Sequence, residues 1–214
     1  MNALNVVPPF REYHFIDLDP ARAKNLRTYA HDRSDVHVHE ADCNEVLLKL
    51  LRRARHEDYR RALCLLDPYN IDIAWDVVAA AGRMKSVEIF LNFMVMDMNM
   101  NVLLNHPEKA PPIQVERMNK FWGDESWRQA VYARQTTLFG EDDQVKLSDS
   151  NAKIAEAYRT RLKKVAGFRF VPEPLPFLTG QGATIYYLFF ASPNETGHNI
   201  VIDIFRKYRK QQGL

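Results

Sequence analysis

Short apolar runs alternate along the first part of the chain with segments whose apolar side chains recur at helical spacing. The runs predict four β-strands, at residues 13–17, 36–39, 62–66 and 86–93. The segments between them predict helices at 21–31, from about 44 onward, and at 73–81 with Gly82 as a cap. The run 62–66 is almost uniformly apolar, as is typical of a parallel strand that is buried on both faces. This succession predicts an α/β fold with a mostly parallel, doubly wound sheet and right-handed crossovers.

The pattern changes in residues 94–167, which become helical and aromatic and predict an inserted lid or cover. Two further strands are predicted at 168–171 and 184–191, the second as an antiparallel hairpin partner or sheet edge. A closing helix is predicted at 200–208. Together these elements predict a single domain, 1–214, with a helical insertion at 94–167.

The overall composition indicates a soluble protein but does not identify what it binds. The 214 residues carry a formal net charge of +2, too weak to demand or exclude a nucleic-acid partner. Two cysteines, Cys43 and Cys64, are too few for a disulfide framework and fit a reducing compartment. The N-terminus has no secretion-signal pattern, and no apolar run reaches the ~20 residues of a membrane helix. We therefore predict a soluble, cytoplasmic protein.

Acidic residues follow three of the predicted strands, at Asp17, Asp42 and Asp67. Ligands of open α/β sheets lie beyond the carboxyl ends of the strands, so these positions are candidate site residues. Asp17 is the candidate for a carboxylate that binds ribose hydroxyls, whereas Asp19 is better placed to cap the following helix. Asp42 and Cys43 could meet an adenine edge, although Asp42 is equally suited to capping the helix that begins near Asn44.

The turn Asp67-Pro68-Tyr69 is the strongest single signal in the chain. Proline stiffens the turn, the acid can orient an amine, and the aromatic ring can stack on a planar group. The competing interpretation is an ordinary strand-ending turn with a packed tyrosine.

Four segments in a fixed order resemble the three-Cys-motif partner proteins, a methyltransferase-like family. They are Phe15-Ile-Asp-Leu-Asp19, Ala41-Asp42-Cys43, Leu66-Asp-Pro-Tyr-Asn70 and Ile185-Tyr-Tyr-Leu-Phe-Phe-Ala-Ser192. The resemblance covers nearly the whole chain and implies a Rossmann-like methyltransferase fold with S-adenosylmethionine as cofactor. It also implies that Asp17 binds the ribose, that Asp42 and Cys43 lie near the adenine, and that Asp67 and Tyr69 face the methyl group. The family name further implies a partner protein that carries a three-cysteine motif.

The chain departs from the family pattern at its N-terminus, because no glycine precedes Gly82. The family normally begins with a strand and a glycine-rich turn that approaches the methionine part of the cofactor. The first residues resemble the tail of the helix after that turn, so we expect a truncated chain or a late start codon. The main rival to an enzyme is therefore a non-catalytic, methyltransferase-like scaffold that binds its partner protein.

Three further interpretations receive less support from the residues. The pair Asp17 and Asp19 matches a haloacid dehalogenase-type phosphatase, but Ala21 stands where that pattern expects Ser or Thr. His37 and His39 could join Cys43 and Cys64 in a metal site, but the spacing is unconvincing, so we predict none. Basic clusters at 52–55, 159–164 and 206–210 could follow a phosphate backbone, although solvated helix faces and buried anchors explain them better.

Overall fold

The computed structural model describes residues 2–136 and 142–213. The chain divides into two compact units, Met1–Leu50 and Leu51–Leu214. The described strands are β1 (Tyr13–Asp17), β2 (Val36–Glu40), β3 (Ala62–Leu66), β4 (Val87–Phe93), β5 (Tyr132–Thr136), β6 (Asp142–Lys146), β7 (Leu175–Leu178) and β8 (Thr184–Ala191). The described α-helices are α1 (Pro20–Ala30), α2 (Cys43–Leu51), α3 (Trp75–Met84), α4 (Val95–Asn101), α5 (Pro112–Trp122), α6 (Trp127–Val131), α7 (Ser150–Lys164) and α8 (Glu195–Gln212). Short 3-10 helices lie at Asn2–Asn5, His56–Asp58 and Pro107–Lys109.

The first unit is a β1–α1–β2 motif followed by α2. Strands β1 and β2 are parallel, with Tyr13 opposite Val36 and Asp17 opposite Glu40. Helix α1 begins at Pro20, whose fixed φ suits the first turn and whose missing N–H would be unpaired there anyway. Tyr13, Val36 and Ala23 of α1 are buried, so this unit has a small apolar core.

The second unit is built on a mixed sheet in the order β3-β4-β8-β7. β3 and β4 pair in parallel, whereas β8 is antiparallel to both of its neighbours, β4 and β7. The α/β class and the antiparallel strand near the C-terminus are therefore confirmed. The single doubly wound sheet is not, because the described strands form three hydrogen-bonded sheets and β1 pairs only with β2 in this part of the chain.

Alternation along β4 decides which face of this sheet carries the main core. Its odd-numbered side chains, from Val87 to Phe93, are completely buried, while the even-numbered ones are half-buried. The buried face meets an aromatic cluster centred on Tyr158 of α7, whose ring stacks on Phe121 with centroids 5.2 Å apart. Phe93 and Phe189 also contact the Tyr158 ring, at 4.9 and 5.5 Å. The segment 94–167, as far as it is described, thus covers the sheet with helices, and it adds the antiparallel pair of β5 and β6, which the sequence pattern does not predict.

The opposite face of the sheet is covered in part by α8. Val201 and Phe205 of α8 pack with Leu175 and Phe190 in a second, smaller core cluster. On the same face, at β3, Leu65 stays 63% exposed, so the prediction that this strand is buried on both faces is wrong. Alternate residues of this edge strand pack inward, while Leu63 and Leu65 on its other face remain exposed.

Two further expectations are corrected. Residues 168–171 form no strand but a single bridge between Phe170 and Ser192, and the true hairpin partner of β8 is β7. β8 therefore lies inside the sheet, not at its edge. Gly82 is not a cap either: α3 continues to Met84, and Lys85 adopts the left-handed conformation that ends the helix.

Gly82 is required by a close approach of backbone, which leads to a stability prediction. A Cβ built on Gly82 would lie 2.0 Å from the carbonyl oxygen of Ala166, which follows α7. We expect Gly82→Ala to destabilise the protein by about 1–3 kcal/mol, as overpacking typically does, although alanine favours a helix interior by ~1 kcal/mol. The measurement is urea unfolding followed by circular dichroism. Gly180→Ala is the matched control, because nothing lies within 4 Å of its Cβ position; a Gly82→Ala protein as stable as that control would contradict the packing.

Candidate functional site

Two acidic residues organise the turn after β1. The backbone N–H of Asp19 donates to Oδ1 of Asp17 over 2.9 Å. Asp19 in turn accepts from the N–H groups of Ala21 and Arg22 and caps α1, so the capping role predicted for it is confirmed. The half-buried Asp17 is thereby left at the carboxyl end of β1, with its orientation set by the turn.

Asp42 and Cys43 open the helix after β2. Oδ1 of Asp42 accepts from the N–H of Asn44 over 2.7 Å, and more weakly from Glu45 at 3.4 Å. Asp42 therefore does cap α2, the alternative that the sequence left open, while Cys43 is half-buried in the first turn of the helix. Because β1 and β2 are neighbouring parallel strands, Asp17 and Asp42 lie at the same end of this two-stranded sheet.

The turn Asp67-Pro68-Tyr69 leaves β3 in the second unit. The side-chain amide of Asn92, on the adjacent strand β4, donates to Oδ1 of the exposed Asp67. Burial raises the pKa of Tyr186, and the negative charge of Asp67 raises it further. Pro68 is half-buried, whereas the Tyr69 side chain is 82% exposed and does not pack as a core tyrosine would.

A further acidic residue, Asp97, was missed in the sequence and lies on α4 directly after β4. It is buried, and it accepts a hydrogen bond from Asn101 Nδ2 over 2.8 Å. Its other oxygen, Oδ2, lies 3.9 Å from Arg117 and has no hydrogen-bond partner among the described residues. Arg117 also donates to Asp72, in the loop after β3, over 3.1 Å. This cluster of Asp72, Asp97 and Arg117 ties together the segments that follow the carboxyl ends of β3 and β4.

Asp97 is the carboxyl group of that cluster whose pKa is raised. Burial raises its pKa, and the nearby Arg117 charge and the Asn101 hydrogen bond offset part of the effect. Buried carboxyl groups with raised pKa values are over-represented at functional sites, although structural networks perturb pKa values too. A sequence signal existed, because Asp97 interrupts the methionine-rich segment 94–100 just after a predicted strand, although methionine more often fills gaps in a core than lines a site.

A polar cavity of about 540 Å³ opens beside α4 and the start of α7 in the second unit. Asn99, Lys146, Asn151 and Tyr187 are among the residues that line it. The Lys146 ammonium donates to Asn99 Oδ1 over 2.8 Å, and burial lowers the pKa of Lys146. Asp67, Pro68 and Tyr69 do not line this cavity.

Histidines collect on one face of the β1–β2 pair. His14 and His37 face each other in register, and their rings stack with centroids 4.9 Å apart. His14 Nδ1 lies 3.1 Å from His39 Nε2, and His14 Nε2 lies 3.4 Å from Glu12 Oε2. Burial lowers the pKa values of His14 and His39, which favours neutral imidazole rings.

The metal set considered from sequence, with two cysteines, is not the one that gathers here. His37 and His39 do share a face, as alternate residues of a strand must, but their neighbours are His14 and Glu12. Cys64 belongs to the second unit, and burial raises the pKa of its thiol to about 11, so it stays protonated. The described structure contains no disulfide to either cysteine.

Several residues of the basic clusters serve as internal anchors. Arg161 donates to Asp124 over 2.7 Å and lies over the Trp75 ring, 4.6 Å from its centroid. Arg159 donates to the Val171 carbonyl, and Arg209 donates to the Pro174 carbonyl. These contacts agree with the prediction that the basic clusters contain buried anchors. They do not support binding of a nucleic-acid backbone by these residues.

Comparisons of the chain with protein-family models, with curated proteins and with solved structures find no match. Among the described residues, no helix combines the length and the apolar character that crossing a membrane requires.

The raised pKa of Asp97 yields a pH-dependent stability prediction. A carboxyl group whose folded pKa lies above its ordinary value of 3.8 stabilises the fold below that value, and this stabilisation is lost as the pH rises through the raised pKa. The raised pKa of Asp97 therefore costs stability at pH 7, and we expect Asp97→Asn to raise Tm at pH 7 and to change it much less at pH 4. Thermal unfolding at both pH values measures this.

The exposed carboxylate Asp203 on α8 supplies the control variant, Asp203→Asn, which should leave Tm nearly unchanged at both pH values. A lower Tm for Asp97→Asn at pH 7 than at pH 4, each relative to wild type, would mean that attraction to Arg117 outweighs the cost of burial.

Proposed function

We propose that this protein is an S-adenosylmethionine-dependent methyltransferase of the three-Cys-motif partner type, with a Rossmann-like methyltransferase fold. The observation that supports the proposal most is the sheet of the second unit. Its antiparallel strand β8 is inserted between β4 and β7, which run in the same direction, and Asp67 follows the parallel strand β3. Acidic residues after parallel strands are where an α/β fold of this kind binds its ligand.

The first unit is proposed to bind the adenosyl part of the cofactor. The turn after β1 uses Oδ1 of Asp17, and a carboxylate has a second oxygen that can accept from a ribose hydroxyl. Asp42 likewise uses Oδ1 to cap α2, which leaves Oδ2 for a ligand. Its position next to Cys43 suits contact with the adenine edge. The capping bonds support these roles, because they fix each carboxylate before the cofactor arrives.

The second unit is proposed to hold the methyl acceptor. Asp67 would accept a hydrogen bond from the attacking nitrogen or oxygen, while the Asn92 amide keeps the carboxylate oriented. Pro68 fixes the turn, and the exposed ring of Tyr69 is available to stack on the acceptor. Methyl transfer of this kind gains most of its rate enhancement from proximity and alignment of the reacting groups.

Substitution of Asp67 separates chemistry from cofactor binding. We expect Asp67→Asn to lower methyl transfer about 100-fold, the usual scale for a lost acid–base group, while the Kd for S-adenosylhomocysteine stays unchanged. Calorimetric titration gives the Kd. Transfer is followed with tritium-labelled S-adenosylmethionine and separate protein, RNA and small-molecule fractions as acceptors. Equal losses in binding and transfer would remove Asp67 from the chemistry.

Substitution of Asp17 tests the ribose contact. Asn retains the Oδ1 acceptor that the turn uses, so Asp17→Asn removes the charge with little disturbance of the fold. We expect S-adenosylhomocysteine to bind about 10-fold more weakly or worse, the range for a hydrogen bond to a charged group. Asp203→Asn is the control and should bind as wild type does; an unchanged Kd for Asp17→Asn would exclude the proposed ribose contact.

A second candidate function is a non-catalytic, methyltransferase-like scaffold that binds a protein with a three-cysteine motif. It is favoured by exposed apolar side chains on β3 and the turn after it: Leu63 is 39%, Leu65 63% and Tyr69 82% exposed. Neighbouring exposed apolar side chains are typical of protein-binding surfaces. A chain that gives no calorimetric signal with S-adenosylmethionine or S-adenosylhomocysteine would favour this scaffold over the enzyme.

A further inference from the structure

The parallel pairing of β1 and β2 brings metal-binding side chains from two strands onto one face. His14 lies opposite His37, and Glu12, which directly precedes β1, directs its carboxylate toward Nε2 of His14. One ligand atom from each of Glu12, His14 and His37 lies within 4.8 Å of the other two. No single segment of the sequence contains this set, because the register of the two strands assembles it.

The distances fit a small cation held between these atoms. Zn²⁺ lies about 2.0–2.1 Å from nitrogen and oxygen ligands, so tetrahedral ligand atoms are separated by about 3.3 Å. His14 Nε2 and Glu12 Oε2 are 3.4 Å apart, which already matches that separation. His37 is exposed, so rotation of its side chain can bring a ring nitrogen to the same distance and a metal can enter from solvent.

We propose that the first unit binds a divalent transition-metal ion of the zinc class through Glu12, His14 and His37. Two imidazoles and a carboxylate are ligands that such ions accept, and the remaining position is open to water. This site is independent of the proposed methyltransferase function, because it uses none of the residues assigned to cofactor or acceptor.

His39 is the positioning residue of the site. When the Nδ1–H of His14 donates to Nε2 of His39, the Nε2 atom of His14 is left unprotonated and faces the Glu12 carboxylate. Metal-bound histidines commonly donate their second ring N–H to such a partner, which fixes the tautomer and the ring orientation.

Metal binding would also stabilise the fold of the first unit. The first unit spans Met1–Leu50, and units of this size bury little apolar surface. A metal that joins β1 to β2 would stabilise the folded form by binding it in preference to the unfolded chain.

The test is a metal titration on the full chain without a polyhistidine tag, after removal of metals with a chelator. Co²⁺ is added while its visible absorption bands are recorded, and Zn²⁺ affinity is measured by competition with a chromophoric chelator. We expect one equivalent to bind, and His14→Ala and His37→Ala each to weaken binding by about 100-fold, with Glu12→Gln weakening it by at least about 10-fold. Loss of an outer partner typically costs 10–100-fold, so His39→Ala should weaken binding by about 10-fold and His39→Gln should restore part of the loss.

His106→Ala is the matched control, because it removes an exposed histidine outside the first unit and should bind as wild type does. His37 is exposed, so His37→Ala is expected to fold even if His14→Ala does not, and circular dichroism checks both. Zn²⁺ should raise the Tm of wild type and of His106→Ala, but not that of His37→Ala. The proposal is overturned if wild type binds no more metal than His37→Ala, or if His106→Ala loses as much affinity as His37→Ala.

Discussion

Burial of one face of β4 is the constraint on which the second unit depends. Its odd-numbered side chains are removed from water completely, and the ring of Tyr158 joins them to α5, α7 and β8. Contacts of this kind, at about 25 cal/mol per Å² of buried apolar surface, set the position of the strand more firmly than any polar interaction around it. Asn92, at the carboxyl end of β4, and Asp97, on the helix that follows, owe their positions to that anchoring, so the candidate polar residues extend from a rigid element.

In both units, the carboxylates that follow the strands are oriented by hydrogen bonds from nearby groups. Asp17 and Asp42 are fixed by N–H groups from their own turns, Asp67 by an amide on the neighbouring strand, and Asp97 by a residue of its own helix. Each carboxylate thus has a structural task in addition to any chemical one. That double use explains why Asp42 could be interpreted from the sequence either as a helix cap or as a ligand.

Sequence patterns predict an element well where the local residue types determine it. They fail where the hydrogen-bonded pairing between distant strands determines it. Strands β1, β3 and β8 match their predicted bounds, because each is rich in aromatic or aliphatic residues and is followed by a clear break. β7 was missed since Pro176 resembles a turn, yet a sheet edge tolerates a residue that cannot donate a ladder hydrogen bond. The pattern at 168–171 predicts a strand because Phe168 and Val171 are apolar, but their burial comes from packing beside a single bridge. His14 was overlooked for a related reason: only the ladder register makes it a neighbour of His37.

The placement of β8 inside its sheet bears on how the protein is made. Glu88 on β4 accepts a hydrogen bond from Ser192, a residue 104 positions further along the chain, and the whole helical segment is translated between them. During synthesis on the ribosome, β4 must therefore emerge with one edge unpaired and its aromatic neighbours incomplete, a state that favours chaperone capture or aggregation. Long-range pairing of this type also slows refolding from denaturant. A chain cut short before β8 would lack the strand that completes the sheet.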